Sequence, residues 1–450
     1  MKDINMTEGK ITPSLIRFLL PLVAANLLQV CYNTADSLVL SWFAGNIAYS
    51  SVGVTTTVVG FLVNFFISMA AGANLIIARY LGAGQDKRLS DAIHTAALFS
   101  VLTGIGILVV GQLLTLPLLR LTDCPGELLP GAELYMRIIF LGTPASVFYN
   151  FTSPILRAKG DTKRPLIYLA VSGAVNVGLN LLFVCGFGMT VDGVAIATIV
   201  SQYLSAGMLL VRLLRLRDNC RLYITRLRIR AQELGRILRY GLPSAIAAST
   251  FSISNIQIQS AINSFGTVGA AGNAASIGVE NFVNAIYNTL GVAAVAFLGQ
   301  NLGAGNRERV FRLIRTFFLF GLVIAAAITV PALLFGKQLL YIYLPDNQAA
   351  IDFGIIRMYC VVGAAAIGIA NNILGGCLQA FGKNSLHMIT TIVGICGFRL
   401  LWMAIVYPGH QTPLSLYLCY PITWCLVCIT ETVCLLWILR RYRRGEDYLL

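Results

Sequence analysis

The sequence has few charged residues. Asp, Glu, Lys and Arg make up 12% of its 450 positions, whereas a soluble globular domain carries about 25%. Only 19 residues are acidic, against 33 that are basic. Hydrophobic residues account for 57% of the chain, so this composition argues against an ordinary water-soluble domain and indicates a protein that is embedded in a membrane.

Residues of catalytic and metal chemistry are also scarce. The three histidines, His94, His387 and His410, lie near the ends of separate apolar segments, so the sequence predicts no metal-ligand or acid–base cluster. Cys425 and Cys428 form a CxxC, but they lie within an apolar segment, and we interpret them as packing residues. The sequence has no GxxxxGK[ST] motif and no paired nucleophile and base, which argues against ATP as the energy source and against an enzyme.

Long apolar segments dominate the chain instead. A membrane-spanning helix needs about 20 mostly apolar residues, and the sequence supplies twelve such stretches. We place them at about 15–43, 52–79, 91–118, 132–156, 165–186, 191–211, 240–264, 274–302, 310–336, 350–381, 385–407 and 413–439. The polar segment before the first span is expected to be a short cytoplasmic lead rather than a cleaved leader.

The basic residues lie almost entirely in alternate loops between these spans. If the N-terminus is inside the cell, the outer loops contain only Arg120 and Lys337, and most of the other basic residues lie on the inner side. The positive-inside rule therefore predicts that both termini are cytoplasmic. The net charge of +14 is expected to face anionic lipid headgroups, and we expect no nucleic-acid partner.

The same landmarks occur twice, about 222 residues apart. The matching pairs are Pro21 with Pro243, Asn33 with Asn255, Arg137 with Arg357, Gly142 with Gly363, and the Leu-Gly-Ala-Gly loops at 81–84 and 302–305. Each copy holds six spans, an even number, so the two copies enter the membrane from the same side as parallel repeats.

The sequence therefore predicts an all-α polytopic membrane protein with twelve transmembrane helices in two homologous six-helix lobes. We expect an N-lobe at 1–214, a basic cytoplasmic linker at 215–239 and a C-lobe at 240–450. Repeats of this kind usually enclose a site near the bilayer midplane and give alternating access by rocking, so the architecture favours secondary transport.

The landmarks closely resemble those of the MATE (multidrug and toxic compound extrusion) family, in its bacterial DinF-like branch. The resemblance covers essentially the whole chain and rests on short fragments in the right order and spacing. The fragments are Pro21, Tyr32-Asn33-Thr34-Ala35-Asp36, the two LGAG loops, Gly299-Gln300-Asn301, Arg157-Ala158-Lys159-Gly160-Asp161 and Gly193-Val194-Ala195-Ile196-Ala197-Thr198. The resemblance implies an exporter of amphipathic organic cations that is driven by inward protons or sodium and has a V-shaped cavity between its lobes.

Asp36 is one of three carboxylates well inside the spans, with Glu280 and Glu431. A charge at a helix centre costs about 2.5–3.5 kcal/mol, so each of them needs a reason to be there. Asp36 shares a helical face with Gln29 and Asn33, which indicates a wet or protein-facing stripe. We interpret Asp36 as an ion-coupling carboxylate, and the alternative is a hydrogen bond that only joins two helices.

The predicted ion-coupling site extends to other spans. Asn176 and Asn180 share a face of the fifth span, and the resemblance adds Thr198, so that with Asn33 they complete an oxygen-rich cluster around Asp36. The family often has Asp at the position of Asn180. Its absence leaves one carboxylate, which favours protons over sodium, because a hard cation prefers charged oxygen ligands. Sodium at Asp36 is the alternative, and no other metal or cofactor is expected.

Glu280 shares a face with Asn284 in the eighth span. We interpret it as a counter-charge for a cationic substrate or as a second coupling site, and the alternative is an ion pair with an arginine inside a span. The three arginines inside spans are Arg137, Arg357 and Arg399. For Glu431 we favour a hydrogen bond to a neighbouring helix or a contact with the arginines that end the last span.

Polar and aromatic side chains on candidate inner faces are predicted to line a substrate cavity. Aromatic rings suit flat cations, because each cation–π contact contributes about 0.5–2 kcal/mol without demanding one shape. Besides Glu280, the predicted cavity residues are Gln29, Tyr32, Asn150, Asn255, Gln259, Asn284 and Asn371.

The favoured function is an antiporter of small organic cations in the cytoplasmic membrane of a bacterium, acting as a monomer among membrane lipids. The alternative is a lipid-linked oligosaccharide flippase of the same superfamily. Flippases of that kind tend to have extra spans or a cationic central cavity, whereas this chain has twelve spans with carboxylates inside them.

Overall fold

A computed structural model describes residues 5–121, 124–344 and 347–444, and every regular element in these ranges is helical. The first half of the chain forms helices α1 Ile11–Val39, α2 Gly45–Gly82, α3 Asp86–Leu121, α4 Leu129–Leu141, α5 Thr143–Ala158, α6 Lys163–Asn180 and α7 Val191–Leu214. The second half forms α8 Ala231–Asn263, α9 Gly266–Gly303, α10 Arg307–Leu334, α11 Gly336–Tyr343, α12 Gln348–Val361, α13 Ala365–Ala380, α14 Asn384–Thr391, α15 Phe398–Leu401 and α16 Pro413–Arg443.

The long helices follow from the apolar composition, because a segment in lipid must satisfy its backbone hydrogen bonds within itself. Nine helices in the described residues are long and apolar enough to cross a membrane, and a bent pair, α12 with α13, makes a tenth. The two other predicted spans correspond to α8 and to the consecutive helices α4 and α5. Together these elements account for the twelve predicted spans.

Two spans are broken at matching positions in the two halves. Gly142 separates α4 from α5, and the hydroxyl of Thr143 donates to the carbonyls of Gly104 and Phe140 at the break. In the second half Gly363 lies between α12 and α13, which meet at a bend of 44°. Gly142 and Gly363 are one of the pairs that the internal repeat aligned.

Short π-helical turns interrupt other spans, at Leu40–Ala44, Leu181–Gly186, Ile392–Gly397 and Trp402–Val406. A π turn contains an extra residue and shifts the faces of the helix on either side of it, and such turns often occur at functional sites. Two of the four flank α15 directly.

The chain folds into two compact units. One holds Met1–Asn5 and Leu20–Ala245, and the other holds Met6–Leu19 and Ile246–Leu450. Thus α1 begins in the second unit and continues in the first, whereas α8 begins in the first and continues in the second. Both crossings lie close to a helix-interior proline, Pro21 or Pro243, which removes a backbone hydrogen bond from its helix.

Small residues allow close helix packing in each unit. In the first unit, a Cβ on Gly104 of α3 would lie 2.5 Å from the Cα of Pro144 in α5. In the second, a Cβ on Gly354 of α12 would lie 2.6 Å from the carbonyl oxygen of Gly272 in α9. Backbones can approach this closely only where a side chain is missing, which is the usual packing of membrane helices.

The segment predicted as a linker, 215–239, is helical from Ala231 onwards. Glu233 in this first part of α8 is only 4% exposed and has two partners. It accepts hydrogen bonds from the hydroxyl of Tyr80 at 2.9 Å and from Arg236 at 2.8 Å. Because its charge is paired inside the first unit, α8 begins before its apolar stretch does.

The two LGAG loops are tight turns between helices. Gly84 follows α2 and Gly305 follows α9, with φ values of +63° and +70°. Side chains other than glycine rarely adopt this backbone conformation, so each loop needs its last glycine for the turn.

Candidate functional site

Asp36 and Asn180 form the centre of a polar cluster in the first unit. Asp36 is on α1, and Asn180 is the last residue of α6. The side-chain amide of Asn180 donates to a carboxylate oxygen of Asp36 at 2.5 Å. Asn180 is fully buried and Asp36 half-buried, so a carboxylate and its donor lie between two helices within an apolar part of the chain.

Asn176 extends this cluster by one turn of α6. Its side-chain oxygen accepts a second, longer hydrogen bond from the same amide of Asn180, at 3.5 Å, and its side chain is 4% exposed. The side-chain oxygen of Asn180 has no hydrogen-bond partner among the residues that the structure describes. The structure therefore brings together the predicted residues Asp36, Asn176 and Asn180, with one buried acceptor left over.

Two tyrosines flank the cluster. Tyr32, one turn before Asp36 on α1, packs its ring against Gly173 of α6 and donates its hydroxyl to the carbonyl of Ala170 at 3.1 Å. Tyr135 of α4 lies within electrostatic range of Asp36. Tyr135 was not predicted from the sequence, since tyrosines near the ends of spans are common in membrane proteins and carry little information alone.

Other predicted residues of the first unit lie in different surroundings. The hydroxyl of Thr198 donates to the carbonyl of Val194 on its own helix, at 2.9 Å. Asn150 likewise donates to Ser146, one turn earlier on α5, at 2.9 Å. Asn33 and Gln29 are exposed positions on α1.

Glu280 of α9 is paired with Arg357 of α12 in the second unit, at 2.5 Å. The Arg357 side chain is 5% exposed and that of Glu280 is 14% exposed. Asn284 donates to the other carboxylate oxygen of Glu280 at 3.4 Å, and Arg357 also donates to Ser276 at 3.3 Å. The predicted alternative for Glu280, an ion pair with a span arginine, is therefore present, and the carboxylate is neutralised in this arrangement.

Asn255 of α8 accepts a hydrogen bond from Arg399 of α15 at 2.9 Å. Arg399 is 1% exposed, and its guanidinium carbon lies 4.2 Å from the centre of the Tyr420 ring and 5.2 Å from that of Phe251. From the sequence, Arg399 was one of three possible partners of Glu280, whereas in the structure Arg357 is that partner.

The remaining predicted cavity residues of the second unit join its helices. Gln259 accepts from the amide of Asn273 at 3.3 Å, and Asn273 accepts from the hydroxyl of Tyr417 at 3.2 Å. Asn371 of α13 donates to the carbonyl of Trp424 in α16 at 3.1 Å.

His387 and Glu431 form an acid–base pair, so the prediction that the histidines join no such cluster is wrong for His387. The ring of His387 on α14 lies 2.6 Å from a carboxylate oxygen of Glu431 on α16, and Thr390 donates to the same oxygen at 2.8 Å. Glu431 is fully buried. Its predicted hydrogen bond to a neighbouring helix is confirmed, and the two partners are 44 and 41 residues away in the sequence, which spacing patterns cannot reveal.

Asp36, Glu280 and Glu431 are all at least partly buried within apolar helices. Each of the three is held by a different kind of partner: an amide for Asp36, a guanidinium for Glu280 and an imidazole with a hydroxyl for Glu431. Ionisable groups inside membrane spans are expensive to bury and usually mark ion or substrate pathways.

Comparison with known proteins identifies the family. The family model described as MatE matches residues 21–182 and, a second time, residues 243–405. The two matches begin at Pro21 and Pro243, the pair that the internal repeat aligned. The chain belongs to the MatE family. Members of this family are membrane transporters rather than enzymes, and the prediction of a MATE transporter is therefore confirmed.

Several bacteria have relatives of similar length. A probable multidrug resistance protein of Bacillus subtilis (strain 168), YpnP, is 27% identical, with 90% of each chain covered. A protein of Shewanella oneidensis named FAD transporter is 24% identical, with 94% of each chain covered. These MatE relatives support a multi-pass transporter of small molecules in a bacterial plasma membrane.

Solved structures show the same fold. The structure described as the outward-facing conformation of a multidrug resistance MATE family transporter of the MOP superfamily matches with a TM-score of 0.91, covering 99% of each chain at 19% identity. The predicted fold class, twelve membrane helices in two homologous lobes, is confirmed.

Proposed function

We propose that this MatE protein is a secondary antiporter that exports amphipathic organic cations across the cytoplasmic membrane in exchange for inward protons. The observation that carries the proposal is the buried contact between Asp36 and Asn180, which places a titratable carboxyl group inside a span with a polar partner on a second helix. A carboxyl group that gains and loses a proton there can link proton entry to helix movement, which is how alternating access is coupled to a gradient.

The direction of the hydrogen bond favours protons over sodium. Asn180 presents its amide group to Asp36, so a donor hydrogen points at the carboxylate oxygen that a cation would need. Sodium would need Asn180 to turn its oxygen inward, and the site would still hold one carboxylate, a weak ligand set for a hard cation. We therefore assign proton coupling to Asp36, with Asn176 and Asn180 as its supporting residues.

The support for cationic substrates comes mainly from the relatives and from aromatic residues. Relatives of this chain are named multidrug resistance proteins, and an aromatic ring such as that of Tyr32 provides a flat surface for cations. Glu280 is paired with Arg357, so it is available to a cation only when that pair opens. One relative is named an FAD transporter, so the family is not restricted to drug export by name.

We further propose that the chain acts as a monomer with both termini in the cytoplasm. The distribution of basic residues supports this orientation, since the cytoplasmic loops would carry most of the 33 Lys and Arg side chains. These side chains would contact the anionic lipids of the inner leaflet.

The test is gradient-driven efflux of a fluorescent cation from proteoliposomes, first under a pH gradient and then under a sodium gradient. Asp36→Asn keeps the size and hydrogen bonding of the side chain but removes its titration. We expect this variant to lose gradient-driven efflux, by at least tenfold, while it still binds the cation. The matched control is Glu133→Gln, which changes a carboxylate that is partly exposed and paired with Arg137 on its own helix.

Asn180→Asp tests the ion. A second carboxylate beside Asp36 should shift the driving ion towards sodium, because it adds a charged oxygen ligand. If Asp36→Asn exports the cation at the wild-type rate under the pH gradient, Asp36 does not couple transport to protons, and Glu280 and Glu431 become the candidates.

A further inference from the structure

Among the described residues of the second unit, Arg399 is the charged side chain with the most buried atoms that lack a hydrogen-bond partner. It is 1% exposed, yet only one of its three nitrogen atoms has a hydrogen-bond partner, the side-chain oxygen of Asn255. Its Nε and Nη2 atoms are buried and have no partner within the described part of the chain. A guanidinium group has five donor hydrogens and no acceptor, so these atoms can be satisfied only by acceptor oxygens or a negative charge.

The described side chains around Arg399 do not balance its charge. The aromatic rings of Tyr420 and Phe251 lie against its guanidinium group, and Asn255 is neutral. The same Tyr420 ring faces Arg357 at 5.8 Å, so one aromatic side chain lies between two buried arginines. Glu280 pairs with Arg357, which leaves this group of residues with one positive charge in excess.

Arg399 also lies well inside its apolar span. It belongs to the span Asn384–Gly409, ten residues before the end of that span, or about 15 Å at 1.5 Å per residue. The π-helical turns Ile392–Gly397 and Trp402–Val406 directly before and after α15 change the direction in which its side chains point. A local helix distortion of this kind, centred on a buried charge, is typical of a functional position.

We propose that Arg399 binds an acidic group, a carboxylate or a phosphate, on the molecule that this transporter exports. The planar fork of a guanidinium group matches the two oxygens of such a group, and Nε with Nη2 is one of its two bidentate edges. Tyr420 and Phe251 would then contact the apolar body of the same molecule. The proposal rests on the proposed export function and narrows its substrates to amphipathic molecules that carry an acid, including zwitterions.

The pair of Glu280 and Arg357 gives this binding a second consequence. An acid that also attracts Arg357, which faces the same Tyr420 ring, would weaken the contact between Arg357 and Glu280. Glu280 would then be free to bind an amine on a zwitterionic substrate. The cationic preference expected from Glu280 and the acid preference of Arg399 would therefore belong to the same molecule.

The experiment uses two matched dyes and the purified full-length protein. One dye is a rhodamine ethyl ester, which is a cation, and the other is the same rhodamine with a free carboxylic acid, a zwitterion at neutral pH. Binding is measured by fluorescence anisotropy in a neutral detergent, without any ion gradient. Wild type is compared with Arg399→Gln, which can keep a hydrogen bond to Asn255, and with Arg399→Lys, which keeps the charge.

We expect Arg399→Gln to lower the affinity for the acid relative to the ester by at least tenfold, and Arg399→Lys to lower it less. The control is Arg137→Gln, which changes a span arginine that is 40% exposed and paired with Glu133. This control should leave the ratio of the affinities for the acid dye and the ester dye at its wild-type value. An unchanged ratio in Arg399→Gln would overturn the proposal. This binding measurement uses no gradient, so its result is independent of the efflux test. In the efflux test, an ester dye that is not exported under a gradient contradicts the export function itself.

Two further arms keep the test decisive. The dye measurements are repeated in vesicles of phosphatidylcholine alone and of phosphatidylcholine with phosphatidylglycerol. An effect of Arg399→Gln that needs phosphatidylglycerol and is equal for both dyes assigns the guanidinium to a lipid headgroup and overturns the proposal. If Arg399→Gln does not fold, competition in wild type decides: naphthoate must displace the acid dye at least tenfold better than its neutral amide, naphthamide, and equal displacement rejects the acid site.

Discussion

The contact between Tyr32 and Gly173 determines how closely α1 and α6 approach beside Asp36. A Cβ atom at Gly173 would lie 1.8 Å from one ring carbon of Tyr32 and 2.0 Å from another. No rotation of a methyl group can relieve such an overlap, so the ring or the helix must move. The spacing of the two helices that carry Asp36 and Asn180 therefore depends on a missing side chain.

We predict that Gly173→Ala destabilises the protein by about 1–3 kcal/mol, the usual cost of overpacking, and slows proton-driven efflux. Gly178→Ala is the matched control on the same helix, because a Cβ there meets no atom within 4 Å and alanine is the better helix former. The measurement is the thermal unfolding midpoint in detergent, together with efflux. Equal midpoints for the two variants would show that Tyr32 adjusts freely.

Single residues were predictable where one helix carries the whole signal. Asp36 stood out as a carboxylate in an apolar span, and Asn176 with Asn180 as two amides on one face. Tyr135, His387 and the free donors of Arg399 were not predictable, because their roles depend on partners from other helices. Sequence spacing reports neighbours within a helix, but it carries no information about which helix lies opposite.

At the scale of elements, Glu431 joins α16 to α14. The carboxylate accepts from Thr390 and contacts the ring of His387, and none of it is exposed. Cys377, Cys428 and Cys434 also lie near the Glu431 carboxylate. The carboxylate therefore links α16 to two side chains of α14.

We predict that Glu431→Ala lowers stability by about 3 kcal/mol, because the change removes a fully buried side chain and takes the carboxylate partner away from His387. For a unit of this size, that corresponds to a fall of roughly 6–12 °C in the unfolding midpoint. The control is Glu308→Ala, which removes an exposed pair with Arg312 and should cost less than about 1 kcal/mol. A drop in Glu431→Ala no larger than that of the control would mean that the pair contributes nothing to holding the two helices together.

The elements themselves were largely predictable, and their interruptions were not. All twelve predicted spans correspond to helices, because about 20 apolar residues have few other structures available in lipid. The sequence did not predict the breaks at Gly142 and Gly363, since glycine is frequent in this chain. It did not predict the four π turns either, since a π turn has no distinctive composition. The helical start of α8 was not predicted either, because Glu233 in that part of the helix contacts Tyr80 on α2, a partner that the sequence does not reveal.

At the scale of the whole molecule, the segment Met6–Leu19 belongs to the unit formed by the second half of the chain. The Met6 side chain is fully buried, and its carbonyl accepts from Asn301 at 3.0 Å and from Arg309 at 3.1 Å. Arg309 also donates to the carbonyls of Glu8 at 2.8 Å and Gly9 at 2.7 Å. One arginine thus holds three backbone carbonyls, about 300 residues away in the sequence, as the chain enters α1.

We predict that Arg309→Ala releases this segment without unfolding the rest of the protein. Hydrogen bonds from a charged donor contribute about 1.5–3 kcal/mol. A loss of about 1.4 kcal/mol already raises tenfold the fraction of molecules in which this segment is detached. Amide hydrogen exchange of residues 6–10 should therefore become at least tenfold faster, while exchange in α9 and α13 stays at the wild-type rate. The control is Arg312→Ala, which removes an arginine one turn later in α10 whose partner, Glu308, is exposed. Equal exchange in the two variants would mean that the burial of Met6 alone holds the segment, and that the three carbonyl contacts of Arg309 do not determine where the chain enters its first span.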